Sequence, residues 1–113
     1  MLEGHYIGVV IPARDEEKHI QSVLETLPEF IDMAVVIDDG STDGTKLRAT
    51  EAQTTFDKTI LQTDGIGVGG AIDLGHQHLL KSLQHPFISV VMAGDGQMDP
   101  DNLKSLLHPI LIG

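Results

Sequence analysis

The sequence predicts an α/β fold, a three-layer αβα sandwich built on a mostly parallel sheet. Short runs rich in β-branched residues alternate four times with stretches whose apolar residues recur every three or four positions. Strands that alternate with helices favour parallel βαβ units with right-handed crossovers. The chain has 113 residues, 41% of them apolar, which allows one core, so we expect a single domain over residues 1–113.

The first strand–helix unit occupies the amino-terminal quarter of the chain. A strand is predicted at Tyr6–Ile11 and is expected to stop at Pro12, because proline cannot continue a central ladder. A helix follows from Glu16 to about Pro28. Its apolar face consists of Ile20, Val23, Leu24, Leu27 and Ile31.

The second unit begins with Ala34–Ile37, an apolar run without alternation that is typical of a strand covered on both faces. Residues Ser41–Asp43 are helix-capping types, and they predict a helix that extends to about Gln53. The apolar face of this helix is thin and consists of Leu47 and Ala52.

The second half of the chain repeats the pattern. A third strand is predicted at Thr59–Gln62, and the glycine-rich stretch Asp64–Gly70 leads into a helix. The apolar residues of that helix are Val68, Ile72, Leu79 and Leu83. Gly75 inside it suggests the close approach of another backbone, since glycine costs about 1 kcal/mol relative to alanine there. Phe87–Met92 is the fourth strand, and Asp99–Pro100 begins a fourth helix.

Composition limits the partners of this chain. A net charge of -10 argues against nucleic acid or an anionic membrane surface as the main partner. No apolar run approaches the roughly 20 residues that cross a bilayer, and Met1–Tyr6 is too short and polar for a signal peptide. We therefore expect a cytoplasmic location. The absence of cysteine excludes disulfides, thiolate metal sites and a cysteine nucleophile.

Charged side chains follow every predicted strand. They are Arg14–Glu16, Asp38 with Asp39, Asp64, and Asp95. Ligands of open α/β sheets bind outside the carboxyl ends of the strands, so we expect these residues at one rim. Carboxylates at this density repel each other unless a cation or hydrogen-bond donors hold them, and oxygen ligands suit Mg²⁺ or Mn²⁺. The rim therefore predicts a divalent ion together with a phosphorylated ligand.

Four sequence runs stand at the predicted strand ends in a recognisable order. They are Val10–Glu17, Val36–Thr45, Gly67–Ala71 and Met92–Pro100. In order and spacing they resemble the motifs of family 2 glycosyltransferases, over about residues 6 to 111. The last run looks closest to the polyprenol-phosphate sugar transferases, which are similar to dolichol-phosphate mannose synthase. The resemblance implies a GT-A fold, a nucleoside-diphosphate sugar donor, a divalent metal, and inversion at the anomeric carbon, with a polyprenyl phosphate as a candidate acceptor.

The same resemblance implies residues for the nucleotide. Pro12, Ala13 and Glu16 are expected to line the nucleoside pocket. Asp38 or Asp39 is expected to hold the base or the ribose.

The glycine-rich and final motifs imply the rest of the donor site. Gly67 and Gly70 match the family's donor-binding glycines. Asp95 matches the last carboxylate of the Asp-x-Asp motif and is expected to bind both donor and metal. Gln97 matches the glutamine that helps to hold the metal in polyprenol-phosphate mannose transferases.

Several positions depart from the family pattern. Ala93 replaces the first Asp of the Asp-x-Asp motif, and Arg14 and Asp15 stand where Tyr and Asn are usual. Gly65 and Ile66 stand where Asn and Arg are common. In the family the catalytic base and acceptor elements follow the fourth helix, often with membrane segments after them in the polyprenol-phosphate branch. We therefore expect the isolated chain to bind nucleotide without transferring sugar.

Three other interpretations remain open at the level of sequence. The glycines of Gly65–Gly70 resemble a dinucleotide-binding fingerprint, although that fingerprint normally follows the first strand. A nucleotidyltransferase is a second alternative, but Pro12–Asp15 is not the glycine-rich, basic loop that such enzymes place after the first strand. A non-catalytic module that pairs with a second copy through an open sheet edge is the third.

Overall fold

The computed structural model of the chain describes residues 1, 4–82 and 87–92, and the sheet formed by these residues has four parallel strands. The strands are β1 (Tyr6–Ala13), β2 (Met33–Asp39), β3 (Asp57–Thr63) and β4 (Phe87–Val91). The helices are α1 (Ile20–Glu25), α2 (Thr45–Glu51) and α3 (Gly67–Ser82). This confirms the α/β class with a parallel sheet. The predicted fourth helix, with Asp99 and Pro100, lies outside the described residues.

The order of the strands decides on which face of the sheet each helix lies. The order is β3-β2-β1-β4, so the chain moves in one direction from β1 to β3 and then returns across β1 to reach β4. Right-handed crossovers in opposite directions place their helices on opposite faces.

Two apolar clusters correspond to these two faces. The cluster on the α1 and α2 face includes Ile20, Leu24 and Ala49 over Ile11 and Val36. The cluster on the α3 face includes Ala71 and Leu79 over Val10, Val35 and Ile37. The predicted three-layer sandwich is therefore confirmed, with the sheet as its middle layer.

Strand β1 continues through Pro12, which corrects the prediction that proline ends it. Pro12 pairs with Ile37 and Ala13 with Asp38 in the ladder to β2. Alternate residues of a parallel strand direct their N–H and C=O groups to opposite neighbours. The carbonyl of Val10 accepts the amide of Met92, 2.9 Å away, on the β4 side. Pro12 faces that same side, so its missing N–H costs nothing in the ladder to β2.

Helix α2 differs from its prediction at the start and in its buried face. It begins at Thr45, after the N-cap residue Gly44. Its buried residues are Thr45 and Ala49, whereas Leu47 is 59% exposed. Leu47 was expected in the core because apolar spacing alone cannot decide which side of a short helix meets the sheet.

Helix α1 is shorter than predicted, but its five apolar residues are all buried, as expected. They are Ile20, Val23, Leu24, Leu27 and Ile31.

Helix α3 packs on the sheet through a different stripe from the one that its apolar residues suggest. Its buried residues are Ala71, Gly75 and Leu79, at intervals of four, whereas Val68 is 66% exposed. A Cβ atom at Gly75 would overlap Cγ1 of Val10 and come to 3.0 Å from its Cγ2. The close approach expected at Gly75 therefore exists, but it is to a side chain of β1 rather than to a backbone.

Within the parts of the chain that the structure describes, no helix combines the length and the apolar character that membrane crossing requires.

Candidate functional site

The carboxyl ends of the central strands meet at one rim of the sheet, and a cavity of about 210 Å³ opens there. Its walls come from the end of β1 and the residue after it, the end of β2, and the first turn of α3 with the residue beyond that turn. The residues that line it are Pro12, Ala13, Arg14, Asp39, Gly67, Val68 and Ala71. This position, where the strand order reverses beside β1, is where ligands of open α/β sheets bind.

Asp39 is the acidic residue of the cavity wall, and it is buried, with 6% of its surface exposed. Its Oδ1 accepts hydrogen bonds from the Thr63 hydroxyl at 2.7 Å and the Ile66 amide at 2.8 Å. Its Oδ2 accepts the Gly67 amide at 2.8 Å. The carboxylate thus joins the end of β2 to the end of β3 and to the start of α3.

These donors also decide the charge of Asp39. The hydroxyl of Thr63 has the largest effect, and together with the backbone amides of Ile66, Gly67 and Gly65 it lowers the pKa of Asp39 below its ordinary value, against the opposing effect of burial. Hydrogen bonds to an ionised carboxylate favour the charged form. Asp39 is therefore a fixed anionic acceptor at the cavity wall.

Asp38 lies on the other face of the sheet. Successive residues of a strand point to opposite faces, and Val35 and Ile37 pack on the α3 side while Ala34 and Val36 pack on the α1 side. Asp38 is accordingly turned away from the cavity, where its Oδ1 accepts the Ser41 amide at 3.2 Å. Between the two aspartates that the sequence left as alternatives, Asp39 is the one that borders the cavity.

Two other predicted residues lie near the rim without lining the cavity. The carboxylate of Glu16 is 3.4 Å from Nδ1 of His19, on its own loop. Gly70 follows the first turn of α3, and a Cβ there would meet the Ile66 side chain at 3.2 Å. Of the predicted site residues in the described parts, Pro12, Ala13, Asp39 and Gly67 are therefore brought together. Their roles in binding stay predictions.

Three lining residues were not predicted as site residues from the sequence. Arg14 was noticed only as a departure from the family pattern, and Val68 was assigned to the helix core. Ala71 is both buried and at the cavity wall. The signal for Val68 was its position one residue after Gly67, whose φ of 86° turns the chain into α3 at the rim.

The loops that follow β1 and β2 are joined beside the cavity by reciprocal hydrogen bonds. Asp15 donates its amide to Oγ of Ser41 at 2.9 Å. Its carboxylate Oδ1 accepts the Thr42 amide at 2.8 Å and the Thr42 hydroxyl at 3.3 Å. Asp15 has a φ of 54°, the one positive φ among non-glycine residues that the structure describes.

The next two amides of the first loop also donate to the second loop. Glu16 donates to Oγ1 of Thr45 at 2.9 Å, and Glu17 donates to Oδ2 of Asp43 at 3.3 Å. Asp43 also accepts the amide of Thr45 at 3.0 Å and its hydroxyl, and the hydroxyl has the largest effect in lowering the pKa of Asp43. The residues predicted as caps of α2 therefore bind the neighbouring loop as well.

Hydrogen-bond donors, rather than clustered ligands, hold the carboxylates of the described rim. Among residues 1, 4–82 and 87–92, no three acidic or histidine side chains lie close enough together to bind a metal ion. Asp95 and Gln97, the predicted metal ligands, and Ala93 lie outside the described residues.

The start of α3 does not have the form that dinucleotide binding requires. In that fingerprint the amides at the beginning of a helix bind a pyrophosphate. Here the amides of Ile66 and Gly67 donate to the carboxylate of Asp39. An internal anion thus occupies the position that a dinucleotide phosphate would need.

The chain is similar to two archaeal proteins over 93% of its length. It is 36% identical over 106 residues to an uncharacterized protein of Methanocaldococcus jannaschii and covers 42% of that protein. It is 31% identical over 121 residues to the UDP-N-acetylglucosamine–dolichyl-phosphate N-acetylglucosaminyltransferase of Methanococcus voltae and covers 47% of it. The chain therefore spans less than half the length of these relatives.

Solved structures share the fold. The glucosyl-3-phosphoglycerate synthase of Mycobacterium tuberculosis, in complex with Mg²⁺ and uridine diphosphate, matches with a TM-score of 0.75 and 27% identity, over 97% of this chain and 41% of that one. The same synthase with Mn²⁺, UDP and glucosyl-3-phosphoglycerate matches with a TM-score of 0.73 and 26% identity, over 97% and 41% of the two chains. The family model described as Glycosyl transferase family 2 matches residues 8–112. With its parallel sheet, its rim cavity and this match over nearly its whole length, the chain belongs to glycosyl transferase family 2.

Proposed function

We propose that this chain binds the nucleoside diphosphate of a nucleotide-sugar donor and forms the donor-binding part of an inverting glycosyltransferase. The observation that carries the proposal is the cavity at the carboxyl ends of β1 and β2, with the ionised carboxylate of Asp39 in its wall. A relative with the same fold is solved with UDP, which supports a uridine nucleotide as the first ligand to test.

The lining residues suggest a division of roles. Asp39 already accepts three hydrogen bonds, and a carboxylate can accept about four, so one position remains for a base imide or a ribose hydroxyl. Pro12 and Ala13 offer an apolar wall for the base. Arg14 is the cationic residue of the lining and suits the diphosphate. For Asp38, Glu16 and Gly70 we propose support of the surrounding loops instead of contact with the nucleotide.

We propose Asp95 and Gln97 as the residues that hold a divalent ion. Mg²⁺ and Mn²⁺ both accept the oxygen ligands that a carboxylate and a side-chain amide supply. The ion would neutralise charge on the departing diphosphate. The synthase of Mycobacterium tuberculosis is solved with each of these ions together with UDP, which supports this part of the proposal.

For the acceptor we propose a lipid-linked phosphate, such as a polyprenyl phosphate. The relative of Methanococcus voltae is named for transfer to dolichyl phosphate. The 113-residue polypeptide covers 47% of that enzyme. We therefore expect this polypeptide to bind donor without transferring sugar by itself.

Calorimetric titration with UDP and GDP, with and without Mn²⁺, tests the donor site. We expect the wild type to bind UDP more tightly with Mn²⁺ than without it. Asp95→Ala should remove the gain from Mn²⁺, and Asp39→Ala should weaken binding at least ~10-fold, which corresponds to ~1.4 kcal/mol. Asp57→Ala is the matched control, because Asp57 is exposed at the opposite end of the sheet.

The outcomes separate the parts of the proposal. If the folded wild type binds neither nucleotide under any metal condition, the donor site is rejected. If UDP binds but Asp95→Ala responds to Mn²⁺ as the wild type does, only the metal assignment is wrong. Turnover of a nucleotide sugar onto an acceptor by this polypeptide alone would contradict the expectation that it does not transfer sugar.

A further inference from the structure

We infer that Asp15 is a positioning residue for the donor cavity: through its bonds to Ser41 and Thr42 it holds Arg14 against the cavity without touching the nucleotide itself. The inference rests on the proposed function, because it concerns the same cavity. It assigns a role to a position where this chain departs from the family pattern.

The backbone at Asp15 adopts a conformation that its surroundings must maintain. Its φ of 54° lies in the left-handed region, which costs free energy for any residue with a Cβ, although less for Asp and Asn than for most. Such a conformation persists where neighbouring contacts impose it. Here the contacts are the bonds between Asp15 and the β2–α2 loop.

These bonds run in both directions, which fixes the relative position of the two loops. The Asp15 amide donates to Ser41, and the Asp15 carboxylate accepts from Thr42, at 2.9 and 2.8 Å. A single bond would let one loop turn about the other, whereas a reciprocal pair fixes both distance and direction. Asp15 is itself exposed, so this arrangement does not come from packing in the core.

The two loops continue directly from the walls of the cavity. Arg14 precedes Asp15 in the chain and lines the cavity. Thr42 follows three residues after Asp39, which lines it from β2. A change at Asp15 therefore alters the position of Arg14 relative to Asp39. An anion that both residues contact would be held less well.

The sign of the effect distinguishes positioning from simple charge. The chain has a net charge of -10, and a nucleoside diphosphate is also an anion. Removing a carboxylate beside the cavity should by electrostatics alone strengthen binding. The positioning role predicts the opposite for any substitution that removes the acceptor.

A double-mutant cycle with UDP tests the inference. Asp15→Gly removes the acceptor but keeps the positive φ without strain, and we expect it to weaken UDP binding ~5–10-fold, measured where the variant is fully folded. Arg14→Ala should weaken binding by a similar factor. The double variant should bind hardly more weakly than either single variant, because coupled residues are not additive.

Asp15→Asn is the rescue variant. Asn keeps an acceptor oxygen and tolerates the left-handed region, so we expect affinity equal to or above that of the wild type. Asp57→Ala removes one exposed carboxylate at the far end of the sheet and should leave affinity within about 2-fold.

Two results would overturn the inference while the proposed function stands: UDP affinity unchanged or increased in Asp15→Gly, or additive effects of Arg14→Ala and Asp15→Gly. Failure of the wild type to bind UDP rejects the proposed function instead. In that case amide hydrogen exchange decides about Asp15. Faster exchange at residues 15–17 and 42 in Asp15→Gly, absent in Asp57→Ala, supports its hold on the loops, and unchanged exchange refutes it.

Discussion

At the scale of single residues, the contact between Gly75 and Val10 has a measurable consequence. A methyl group at Gly75 would overlap Cγ1 of Val10, which is fully buried in β1. Alanine normally stabilises a helix interior relative to glycine, but overpacking of a core costs about 1–3 kcal/mol. We expect Gly75→Ala to lower the free energy of unfolding by about 1–2 kcal/mol net in urea denaturation.

Gly69 provides the matched control on the same helix. A Cβ at Gly69 would meet nothing within 4 Å. Gly69→Ala should therefore leave stability unchanged or raise it by up to about 1 kcal/mol. The cost of Gly75→Ala should shrink in a Val10→Ala background. If it persists there at full size, the contact with Val10 is not its cause.

Asp39 should make the stability of the protein depend on acid. Its pKa is lowered in the folded state, first by the Thr63 hydroxyl, so the unfolded chain takes up a proton at a higher pH than the folded one. The contribution of Asp39 is therefore fully present above its unfolded pKa, near the ordinary value of 3.8, and is lost as the pH falls through the folded value.

Urea denaturation at pH 7 and pH 3 measures this contribution. We expect Asp39→Asn to be less stable than the wild type at pH 7, and the difference to shrink at pH 3. Thr63→Val removes the largest cause of the lowered pKa and should act in the same direction. A difference between wild type and Asp39→Asn that is the same at both pH values would contradict the explanation.

At the scale of elements, α2 ends on a lysine of the next strand. Nζ of Lys58 donates to the carbonyls of Ala49 at 2.8 Å and Thr50 at 2.9 Å, and also to that of Ala52. A cation at the end of a helix satisfies carbonyls that have no partner within the helix and favours the helix dipole.

Lys58→Met should therefore destabilise the protein by about 1–3 kcal/mol, since hydrogen bonds from a charged donor are lost while the aliphatic part of the side chain is kept. Thermal and urea unfolding both measure this. Lys46→Met is the matched control: Lys46 bonds only the exposed side chain of Gln62 among its printed contacts, at 3.1 Å, and should cost less than about 0.5 kcal/mol. Equal losses in the two variants would reject the role of Lys58.

Secondary structure was predictable where one physical effect dominates. Each predicted strand in the described part exists, because apolar runs without alternation have only one stable position, in a sheet covered on both faces. The predictions failed where the orientation of a short helix or the side of a strand mattered. Leu47 and Val68 are exposed because their helices meet the sheet through smaller residues, Ala49 and Ala71.

At the scale of the whole molecule, the strand order creates the candidate site. The reversal of direction after β3 places α3 on the opposite face from α1 and α2, so its first turn meets the ends of β1 and β2. Asp39 then joins three segments that are distant in sequence. The predicted pairing of sheet edges between two copies of the chain stays a prediction.

The sequence by itself determined the class of fold, the family and the rim at which the site lies, because hydrophobic period and motif order are local properties of the chain. Only the tertiary structure decided between Asp38 and Asp39. The alternation of a strand puts them on opposite faces, but which face holds the cavity depends on where α3 packs. The bonds of Asp15 to Thr42 were likewise absent from any local pattern, because they join residues 27 positions apart that meet only when the sheet has formed.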